Sequence, residues 1–569
     1  MNKESLAVAS QFCWHRQYDP GVPAEIEIPK ITLSQALSQS ARDFPQAVAL
    51  RFLGRKITYR QLIDQIARLK TGLYHLGLRP GQRLALLLPN CPQAVLGYYA
   101  ALELGAVVVM LNPLSTPREL AYQLKDSGAR ILIGLDHLVP KLNDLSEAVN
   151  LERLIVTSLA DYLPFPLNWL YPFKARRQGW HTGVRSDKGE IRFTGVLKTP
   201  LPPAPEGPQE CEAMAVLQYT GGTTGVPKAA ILTHQNLMTN VAQINAWLPR
   251  LNRGAERVLA VLPFSHAFGM TAAMNWPLSL GGTVIILPRF EVDQVLKTIQ
   301  KYRPTVFPAV PTIFVALINH PRISKFDLSS IWGCISGSAP LPREVQERFE
   351  SLTRGHILEG YGLTEAAPVT HLNPIQGVRK PGSIGLPFPN TEARIVDAES
   401  GTRTLGPEEV GELIIRGPQV MKGYWQNPAE TALVLRDGWL YTGDLATMDA
   451  EGYFYIVDRK KDVIIAGGYK IYPREVEEVL YQHPRVLDAV VIGVPDPYRG
   501  ETVKAFVVPK PGMQLTVEDI QEFCKAQLAA YKVPRIIELR TELPKTMVGK
   551  VLRRALKEES LVHEDSTVS

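Results

Sequence analysis

The chain contains 569 residues, of which 45% are apolar and 21% are charged. This composition is typical of a folded globular protein and excludes a disordered or fibrous chain, and the length predicts two or more hydrophobic cores. The 62 basic and 56 acidic residues leave a net charge of only +6. That balance gives no sign of the clustered basic face that nucleic-acid binding requires, so we expect no nucleic-acid partner.

Cysteine usage and the first residues of the chain indicate where the protein works. Five cysteines are spread along the sequence: Cys13, Cys91, Cys211, Cys334 and Cys524. An odd, scattered set is neither a disulfide framework nor a metal-site spacing, and it is typical of a reducing compartment. Residues 1–10 lack the basic and apolar regions of a signal peptide, and apolar runs such as 107–111 are too short to span a bilayer. We expect a cytoplasmic protein, with peripheral attachment to the inner face of the membrane left open.

The first part of the chain alternates helical and strand-like patterns. Helices are predicted at 33–41, 59–75 and 93–104, and strands at 83–88, 107–111, 213–217, 258–262, 283–287 and 305–307. A proline-rich stretch at 199–208 is predicted to be a connector. No internal repeat is visible. Strand–helix alternation of this kind predicts parallel sheets covered by helices.

The pattern changes after about Arg394. Strand-like alternation with Gly and Asp turns continues up to Val457, where the charge run 458–462 begins. Beyond it, a helix begins at Pro473, strands are predicted at 489–494 and 503–508, and a second helix is predicted at 517–531.

These patterns predict an α/β multidomain fold. A large N-terminal domain, residues 1–457, is expected to contain parallel-rich sheets with helices plus a β-rich subdomain. A small, mobile α+β domain is expected at 458–569, with a hinge near 458–462.

An aromatic and basic segment lies at 162–177. It contains Tyr162, Phe165, Trp169, Tyr171 and Phe173 beside Lys174, Arg176 and Arg177. Aromatic rings beside cations suit a lipid headgroup interface. A loop packed on its own protein is the alternative, and the sequence leaves both open.

The run 219–228 carries three glycines, three threonines and a lysine directly after the strand predicted at 213–217. Backbone N–H groups made accessible by glycine, hydroxyl groups and an ammonium group are suited to binding a polyphosphate. A Walker-type loop is excluded, because Val226 and Pro227 separate Gly225 from Lys228, whereas that motif places its lysine directly after the last glycine. A Thr/Gly-rich surface turn is the alternative interpretation.

Three further motifs carry chemically useful groups. In the motif at 359–365, Tyr361 offers a ring that can stack on a purine, and Glu365 offers a carboxylate that can bind Mg²⁺. The motif at 437–444 ends in Asp444, whose carboxylate is suited to accepting hydrogen bonds from ribose hydroxyls. At 544–550, Lys550 follows a flexible glycine. Each motif alone is a weak signal, because a single Glu or Lys is usually a surface charge.

Together, and in this order, the four motifs resemble those of the adenylate-forming superfamily, which includes acyl-CoA synthetases, peptide-synthetase adenylation domains and beetle luciferases. The resemblance covers about residues 33–557. Within the superfamily the chain is most similar to bacterial long-chain fatty-acid–CoA ligases. That similarity rests on the segments 217–219, 262–266, 337–341, 437–444 and 530–534, and on Trp14, Tyr18 and 21–26 near the start of the chain.

The resemblance implies roles for individual residues. It implies that the β- and γ-phosphates of ATP are held by Thr220, Gly221, Gly222, Thr223, Thr224, Gly225 and Lys228. It implies that the adenine and acyl pockets are lined by Gly337, Ser338, Ala339 and Pro340, and that Tyr361, flanked by Glu359, Gly360 and Gly362, stacks on adenine. The metal ligands are expected to be Glu365 and Thr364, the ribose contacts Asp444 and Arg459, and the hinge residue Lys461. The resemblance also implies that Lys550 bridges the substrate carboxylate and the α-phosphate, and that His266 is a gate between the acyl site and the thiol tunnel; Lys550, Glu365 and His266 are the expected catalytic residues.

The implied reaction is ATP-dependent activation of a fatty acid, with ATP, Mg²⁺ and coenzyme A as cofactor and co-substrates. The carboxylate attacks the α-phosphorus of ATP to form an acyl-adenylate and pyrophosphate, and the thiol of CoA then displaces AMP. Two anions approach each other in the first step, so cations and oriented dipoles are expected to supply most of the catalysis. Between the steps the small domain is expected to rotate, removing Lys550 and bringing Gly467 and Gly468 to the thiol tunnel.

The sequence departs from the family pattern at two positions. Ala229 stands where glycine is usual after the loop lysine, and Lys470 stands where the fatty-acid ligases commonly have asparagine. We expect Ala229 to be tolerated, and Lys470 either faces solvent or alters the CoA contacts.

Several alternatives stay open. A fatty-acyl-AMP ligase, a CoA ligase for an aromatic or medium-chain acid, and a luciferase-like oxygenase would all use the same motifs. A non-catalytic lipid-binding scaffold is disfavoured, because the charged residues of all four motifs are present. The chain-length preference and the formation of a homodimer are not decided by the sequence.

Overall fold

A computed structural model of the protein describes residues 12–145, 149–180, 184–185, 189–220, 227–546 and 551–565. The chain forms two compact units. The first comprises Met1–Glu392 and Arg416–Leu440, and the second comprises Ala393–Ile415 and Tyr441–Ser569. The predicted boundary at Asp458 lies inside the second unit, and the hinge at 458–462 stays a prediction.

The helices, in chain order, are α1 Leu33–Asp43, α2 Tyr59–His75, α3 Pro92–Glu103, α4 Pro117–Ser127, α5 Leu167–Arg177, α6 Phe193–Lys198, α7 His234–Trp247, α8 Ala267–Met270, α9 Trp276–Ser279, α10 Val292–Tyr302, α11 Pro311–Ile318, α12 Arg343–Thr353, α13 Pro428–Val434, α14 Pro473–Gln482, α15 Val517–Gln527 and α16 Arg553–Asp565. None of the helices within the described ranges combines the length and the apolar character needed to cross a membrane.

The strands are β1 Val48–Phe52, β2 Arg55–Thr58, β3 Arg83–Leu87, β4 Val107–Met110, β5 Ile131–Leu135, β6 Arg153–Thr157, β7 Glu190–Arg192, β8 Met214–Thr220, β9 Lys228–Thr233, β10 Arg257–Ala260, β11 Thr283–Ile286, β12 Val306–Ala309, β13 Gly333–Ser336, β14 His356–Gly362, β15 Val369–Leu372, β16 Leu386–Pro387, β17 Glu392–Val396, β18 Gly411–Arg416, β19 Leu435–Arg436, β20 Trp439–Met448, β21 Phe454–Arg459, β22 Ile464–Ala466, β23 Tyr469–Ile471, β24 Val486–Asp496, β25 Gly500–Pro509 and β26 Ile536–Leu539.

Two large sheets organise the first unit. One has the strand order β7-β6-β5-β3-β4-β8-β9, and the other has the order β16-β15-β14-β13-β12-β10-β11-β1-β2. Their inner strands pair in parallel, and antiparallel pairs occur only toward the edges, as in the hairpin of β8 and β9. Buried strands such as β4 and β5 are apolar throughout, as expected when both faces of a sheet are covered.

Local signals in the sequence set where several helices begin. The hydroxyl group of Thr58 accepts a hydrogen bond from the backbone N–H of Gln61, and the Gln61 side chain in turn accepts from the Thr58 N–H. The same reciprocal cap precedes α1, α4 and α7. Each cap satisfies N–H groups that the first helical turn leaves without an intrahelical partner.

The second unit is rich in strands. One sheet has the order β17-β18-β20-β19 with β21 on β20, and another has the order β23-β22-β25-β24 with β26 on β25. Helices α14 and α15 pack on the second of these sheets, where Ile464, Val476, Leu480 and Ile520 belong to one buried apolar cluster. The α/β multidomain fold class with a β-rich smaller part is therefore confirmed.

The predicted elements agree with the structure except that one C-terminal helix is shorter than expected. The second C-terminal helix was expected to reach residue 531 but ends at Gln527, where Leu528 adopts an extended backbone conformation. Beyond this end, the ring of Tyr531 stacks on Tyr469 with centroids 4.6 Å apart. The segment at 162–177, for which the sequence left two interpretations open, forms α5 over residues 167–177, and most side chains of that helix are exposed.

Candidate active site

The ends of the Gly/Thr run lie opposite each other at the edge of a sheet. Thr220 is the last residue of β8, Lys228 is the first of β9, and the two are directly paired in the antiparallel ladder. Gly221, Gly222, Thr223, Thr224 and Gly225 lie outside the described residues. The hairpin therefore fixes both ends of the predicted phosphate-binding run at one point of the fold.

Lys228 has two partners from a segment distant in sequence. Its ammonium group forms an ion pair with the carboxylate of Glu430, at the start of α13, and lies 5.4 Å from the centre of the Tyr424 ring. Only 9% of the Lys228 side chain is exposed. These contacts hold the cation at the strand end, opposite Thr220.

The segment that carries Tyr424 is tied to β9 by backbone hydrogen bonds. The N–H of Ile231 donates to the carbonyl of Gly423, and the N–H of Trp425 donates to the carbonyl of Ala229, at 2.9 and 2.8 Å. Ala229 itself is 2% exposed and extended within β9. Its methyl group is therefore accommodated, as expected for this departure from glycine.

Glu365 lies in a single helical turn, Thr364–Ala366, that follows β14. Its carboxylate accepts a hydrogen bond of 2.8 Å from the hydroxyl of Tyr424, and its carbonyl accepts one of 2.7 Å from the N–H of Met421. Thr364 is half-buried in the same turn. Tyr424 therefore touches both Glu365 and Lys228, which are 137 positions apart in the chain.

The segments 337–340 and 359–362 meet at the carboxyl ends of two neighbouring parallel strands. Ser336 of β13 is paired with Glu359 of β14, so Gly337, Ser338, Ala339 and Pro340 leave the sheet beside the end of β14. The carboxylate of Glu359, which is buried, accepts a hydrogen bond of 3.1 Å from the N–H of Leu341. Ser338 has a φ of +69°, a left-handed conformation that is uncommon for a residue with a side chain.

Gly360 and Gly362 are required by the packing of the sheet itself. A Cβ atom on Gly360 would lie 2.9 Å from the carbonyl oxygen of His371, and one on Gly362 would lie 2.2 Å from that of Pro368. Both contacts are with the neighbouring β15 strand or the residue before it. The close approach that these glycines permit is thus between two backbone segments, and a contact with a ligand stays a prediction.

Tyr361 lies between these glycines and is half-buried. Its ring centre is 6.0 Å from that of His371, at an interplanar angle of 68°. Complete burial lowers the pKa of His371 to about 3, so this imidazole is neutral at physiological pH. The tyrosine therefore has an uncharged aromatic neighbour on one side.

His266 caps the N-terminus of the short helix α8. Its Nδ1 accepts a hydrogen bond of 3.3 Å from the N–H of Phe268. Phe268 in turn would lie 3.4 Å from a Cβ on Gly337. His266 and the segment that begins at Gly337 therefore border the same region of the first unit.

Asp444 and Arg459 belong to the second unit and face each other on β20 and β21. They are directly paired in the ladder, and the Arg459 Nε lies 3.4 Å from the Asp444 carboxylate. Lys461 follows in a helical turn, and its burial together with the neighbouring cations lowers its pKa. The structure thus brings the two predicted ribose contacts together.

Gly467 and Gly468 form the two-residue turn between β22 and β23. Their φ angles of +59° and +84° are those of a primed hairpin turn, which favours glycine. Lys470 lies on β23, where its exposed ammonium group is 3.0 Å from the carboxylate of Glu399. That hydrogen bond raises the pKa of Lys470, so the side chain is a charged surface group in this structure.

Lys550 lies outside the described residues. Of the described residues on either side of it, Lys545 and Val551 form an isolated bridge, and Lys545 is paired with Asp488. Arg553 contacts three carboxylates: those of Glu477 at 2.6 Å, Asp462 at 3.4 Å and Asp458 at 3.6 Å. This side chain therefore ties the start of α16 to the charge run at 458–462.

Sequence reasoning missed Tyr424 and Glu430, although both are at the site. Neither belongs to one of the four motifs, and each lies in an ordinary polar stretch between two strands. A signal was present in Asn427 and Pro428, which predict the start of α13 and so the position of Glu430 in its first turn.

The arrangement in the first unit suits the binding of a polyphosphate with a cation. It combines an ammonium group, a hydroxyl group and a carboxylate at the carboxyl ends of parallel strands, where ligand sites of α/β sheets are usually found. In the second unit, Asp444 and Arg459 offer an acceptor and a donor side by side.

Comparisons with known proteins identify the family of this chain. The model of the AMP-binding enzyme family matches residues 37–425, and that of the AMP-binding enzyme C-terminal domain matches residues 475–550. A long-chain-fatty-acid–CoA ligase of Bacillus subtilis is 50% identical over 97% of this chain and 98% of its own length. A feruloyl-CoA synthase of Amycolatopsis is 38% identical over 90% of this chain and 96% of its own.

Solved structures give the same result. A crystal structure of the anthranilate CoA ligase AuaEII with anthranoyl-AMP has a TM-score of 0.84 and 28% identity, covering 95% of this chain and 99% of that one. The o-succinylbenzoate CoA synthetase of Bacillus subtilis, in complex with ATP and magnesium, has a TM-score of 0.77 and 28% identity, covering 92% and 99%. The resemblance noted in the sequence is confirmed, and the chain belongs to the AMP-binding enzyme family.

Proposed function

We propose that this protein is a long-chain-fatty-acid–CoA ligase. It couples ATP to a fatty acid, forming an acyl-adenylate and pyrophosphate, and then transfers the acyl group to coenzyme A with release of AMP. The observation that carries this proposal is the similarity, over nearly the full length of both chains, to the Bacillus subtilis long-chain-fatty-acid–CoA ligase. The chemistry of the site supports it.

In the first step a carboxylate oxygen bonds to the α-phosphorus, and the bond from that phosphorus to the β-phosphate bridging oxygen breaks. The leaving pyrophosphate carries several negative charges, so a cation held in place before the reaction lowers the barrier. Lys228 is such a cation, and Thr220 together with the run Gly221–Gly225 is proposed to hold the same phosphates. The ion pair with Glu430 is expected to open when they bind.

Glu365 and Thr364 fit a magnesium ion. Mg²⁺ prefers oxygen ligands and is commonly held by one or two protein groups together with substrate phosphates. Glu365 supplies a carboxylate whose orientation is fixed by Tyr424, and Thr364 supplies a hydroxyl from the same turn. When bound there, Mg²⁺ would neutralise charge on the phosphate oxygens.

The remaining residues are assigned to the nucleotide and the acyl group. Tyr361 is proposed to stack on adenine, with Gly337–Pro340 and Glu359–Gly362 around it, and Asp444 with Arg459 to bind the ribose. His266 is proposed to separate the acyl group from the incoming thiol. These roles are supported by the grouping of the residues within each unit.

The second step is proposed to need a different arrangement of the two units. In the first step Lys550 is proposed to lie next to the reacting carboxylate. As the chain rotates about Lys461, Lys550 moves away from that carboxylate, and the hairpin turn at Gly467 and Gly468 approaches the thiol. The sulfur then bonds to the acyl carbon, the bond from that carbon to AMP breaks, and the thiol proton is released.

A second candidate differs in its substrate. The feruloyl-CoA synthase and the anthranilate CoA ligase act, by their names, on aromatic acids, so an aromatic-acid–CoA ligase is the alternative. A cytoplasmic location, peripheral attachment to the membrane and a homodimer stay predictions.

The decisive experiment follows pyrophosphate and AMP separately. The protein is given ATP, Mg²⁺ and a panel of straight-chain acids of increasing length together with ferulate, with and without CoA. We expect pyrophosphate release with long-chain acids, and acyl-CoA and AMP only when CoA is present. Preference for ferulate would favour the aromatic alternative, an adenylate that CoA does not consume would indicate a fatty-acyl-AMP ligase, and oxygen uptake would indicate an oxygenase. If no acid supported ATP–pyrophosphate exchange, the proposal that this protein is a catalyst of acid activation would be overturned.

A further inference from the structure

An apolar patch stands out from the surface of the first unit at α5. It consists of five large side chains, Phe165, Leu167, Trp169, Leu170 and Phe173, which we call the α5 patch. Phe165 is 84% exposed, Trp169 65% and Phe173 56%. Exposed apolar residues are ordinary when isolated, but five within nine positions are a concentration of the kind that marks an interaction site.

The helix that carries the patch is packed on the protein. Trp169, Leu170 and Phe173 lie on one face of the helix by their spacing, and the rings of Trp169 and Phe173 meet edge to face with centroids 5.7 Å apart. Ala175, on the opposite side, is buried and docks the helix on the protein. The patch is therefore exposed although the helix that carries it is packed on the protein.

The residues that precede α5 anchor it further. Tyr162 and Leu163 are buried, and the hydroxyl of Tyr162 donates to the side chain of Gln65 on α2. The carboxylate of Asp161 accepts hydrogen bonds from the N–H of Ser158 at 3.0 Å and from the hydroxyl of Thr157 at 2.8 Å. The residues directly before the exposed apolar side chains are therefore buried and anchored.

Cations surround the patch. Lys174, Arg176 and Arg177 are exposed on the last turn of α5. The turn between β1 and β2 lies beside Pro164, since a Cβ on Gly54 would be 3.4 Å from its Cγ, and this turn adds exposed Arg55 and Lys56. No acidic residue occurs between positions 162 and 180.

The acidic residues described near this surface lie outside α5. Asp161 is held by Ser158 and Thr157, and Asp136 is buried. Glu291 forms an ion pair with Arg289. Burial raises the pKa of the Tyr171 hydroxyl on α5 to about 12; the charge of Asp136 adds to this rise and the charge of Arg289 opposes it. The rim of the patch is therefore positively charged.

We propose that the α5 patch docks this protein on an anionic lipid bilayer. Aromatic and aliphatic side chains enter the boundary between headgroups and acyl chains, while the surrounding cations remain at the level of the headgroup phosphates. A second copy of the chain is a poorer partner, because a twofold interface centred on the patch would bring the same cations together. The proposal does not rest on the ligase reaction, although a bilayer is where long-chain acids partition.

The test measures binding to vesicles directly. The full-length protein is sedimented with vesicles of phosphatidylcholine alone and with vesicles in which phosphatidylglycerol replaces part of it, at low and high salt. We expect strong binding only to the anionic vesicles, weakened by salt, because each cation near an anionic surface contributes about fivefold to the partition coefficient.

Two variants separate the apolar and the charged contributions. Trp169→Ala with Phe173→Ala should lower the partition coefficient about tenfold or more, since both rings lose their apolar environment. Replacing Lys174, Arg176 and Arg177 by Gln should lower it about a hundredfold on anionic vesicles and hardly at all on neutral ones. As matched controls, Tyr498→Ala removes an exposed ring elsewhere, and Gln at Arg60, Arg118 and Lys125 removes three exposed cations of α2 and α4. The controls should bind like the unaltered protein.

The intrinsic fluorescence of the protein gives a second readout. All eight tryptophans lie within the described ranges, and Trp169 alone among them is in an exposed position. Addition of anionic vesicles should shift the emission to shorter wavelength, and brominated lipids should quench it. Both effects should vanish in Trp169→Phe, which retains an aromatic side chain for binding.

Equal vesicle binding by the patch variant and the unaltered protein would overturn the proposal. So would a dimer that the patch variant abolishes without any vesicle binding, because that result would assign the patch to a second copy. Pyrophosphate release with a short, water-soluble acid should be the same in the patch variant and the unaltered protein. If neither protein released pyrophosphate, that result would count against the ligase reaction, whereas the vesicle-binding result would remain valid.

Discussion

The hydroxyl of Tyr424 donates a hydrogen bond of 2.8 Å to the carboxylate of Glu365. The same ring lies 5.4 Å from the ammonium group of Lys228, so one side chain contacts the proposed metal ligand and the proposed phosphate ligand. Burial and the neighbouring Glu365 raise the pKa of the Tyr424 hydroxyl, which therefore remains a donor throughout the physiological range. We infer that Tyr424 is a positioning residue for both groups.

Tyr424→Phe removes this hydroxyl and keeps the ring. The Glu365 carboxylate then loses a donor worth about 1–2 kcal/mol, and its orientation is no longer fixed. We expect the Mg²⁺ concentration for half-maximal adenylation to rise about tenfold, with the fold unchanged. ATP–pyrophosphate exchange against Mg²⁺ measures this.

Tyr481→Phe is the matched control, because the Tyr481 hydroxyl also donates to a carboxylate, that of Asp488 at 2.7 Å, but in the second unit. It should leave the Mg²⁺ dependence unchanged. An equal change in both variants would mean that Tyr424 has no special relation to the metal.

Glu430→Gln tests the ion pair at Lys228. In the absence of nucleotide the carboxylate neutralises the ammonium group, and it would repel a bound polyphosphate. We expect the variant to bind ATP about fivefold more tightly, corresponding to about 1 kcal/mol, whereas Lys228→Met should bind it more weakly. Calorimetric titration with a non-hydrolysable ATP analogue gives both values.

Glu392→Gln, which removes a half-buried partner of the exposed Arg416, serves as the control for Glu430→Gln. If Glu430→Gln instead weakens ATP binding, Glu430 holds Lys228 in place for the phosphates and does not compete with them.

Lys550→Ala and Lys461→Pro should separate the two half-reactions. Loss of the Lys550 cation removes charge stabilisation from the first step, so adenylation should fall by orders of magnitude, while CoA acylation from supplied acyl-AMP largely survives. Lys461→Pro restricts the backbone at the proposed hinge and should spare adenylation but block thioester formation. Rapid-quench measurement of the rate of each half-reaction tests both expectations. Equal loss of the two rates in Lys550→Ala would refute the role assigned to Lys550.

Arg553→Gln should destabilise the second unit. The Nη2 group of Arg553 donates to both carboxylate oxygens of Glu477, and burial raises the pKa of that carboxyl even though the arginine opposes it. Without the guanidinium, the Glu477, Asp462 and Asp458 carboxylates face one another, at a cost of about 3 kcal/mol. Urea unfolding should show this loss. Arg554→Gln, which removes an exposed pair with Glu558, should change the free energy of unfolding by less than about 0.5 kcal/mol.

Acidification should weaken the fold through His371. The pKa of His371 is lowered from 6.5 to about 3 by burial. Because the folded value lies below the unfolded one, the unfolded chain takes up a proton first, so the stability is full above about pH 6.5 and is lost as the pH falls toward about 3. The loss is about 1.4 kcal/mol per pH unit.

His371→Gln should therefore reduce the decline in the free energy of urea unfolding between about pH 7.5 and about pH 5.5. His75→Gln, at an exposed position, should leave the decline as it is. The same decline in all three proteins would show that other groups carry it.

Local sequence patterns determined most of the elements and the positions of the motifs. The apolar run before Thr220 predicted the buried strand β8, and Pro473 predicted the start of α14, because strand burial and helix capping depend on neighbouring residues. Helix α15 ended earlier than its pattern predicted, at an extended Leu528, and Tyr531 beyond it contacts the ring of Tyr469, which is distant in sequence.

The sequence by itself also determined the family, because four motifs in a fixed order carry the groups of an acyl-activating site. Only the tertiary structure decided which side chains hold those groups in place. Tyr424 and Glu430 reach Glu365 and Lys228 because residues 422–425 pair with β9, across separations of 59 and 202 positions, and no local pattern encodes such a contact. It likewise decided that α5 is exposed, since the spacing of aromatic residues in a helix is the same whether its face meets the protein, a lipid or water.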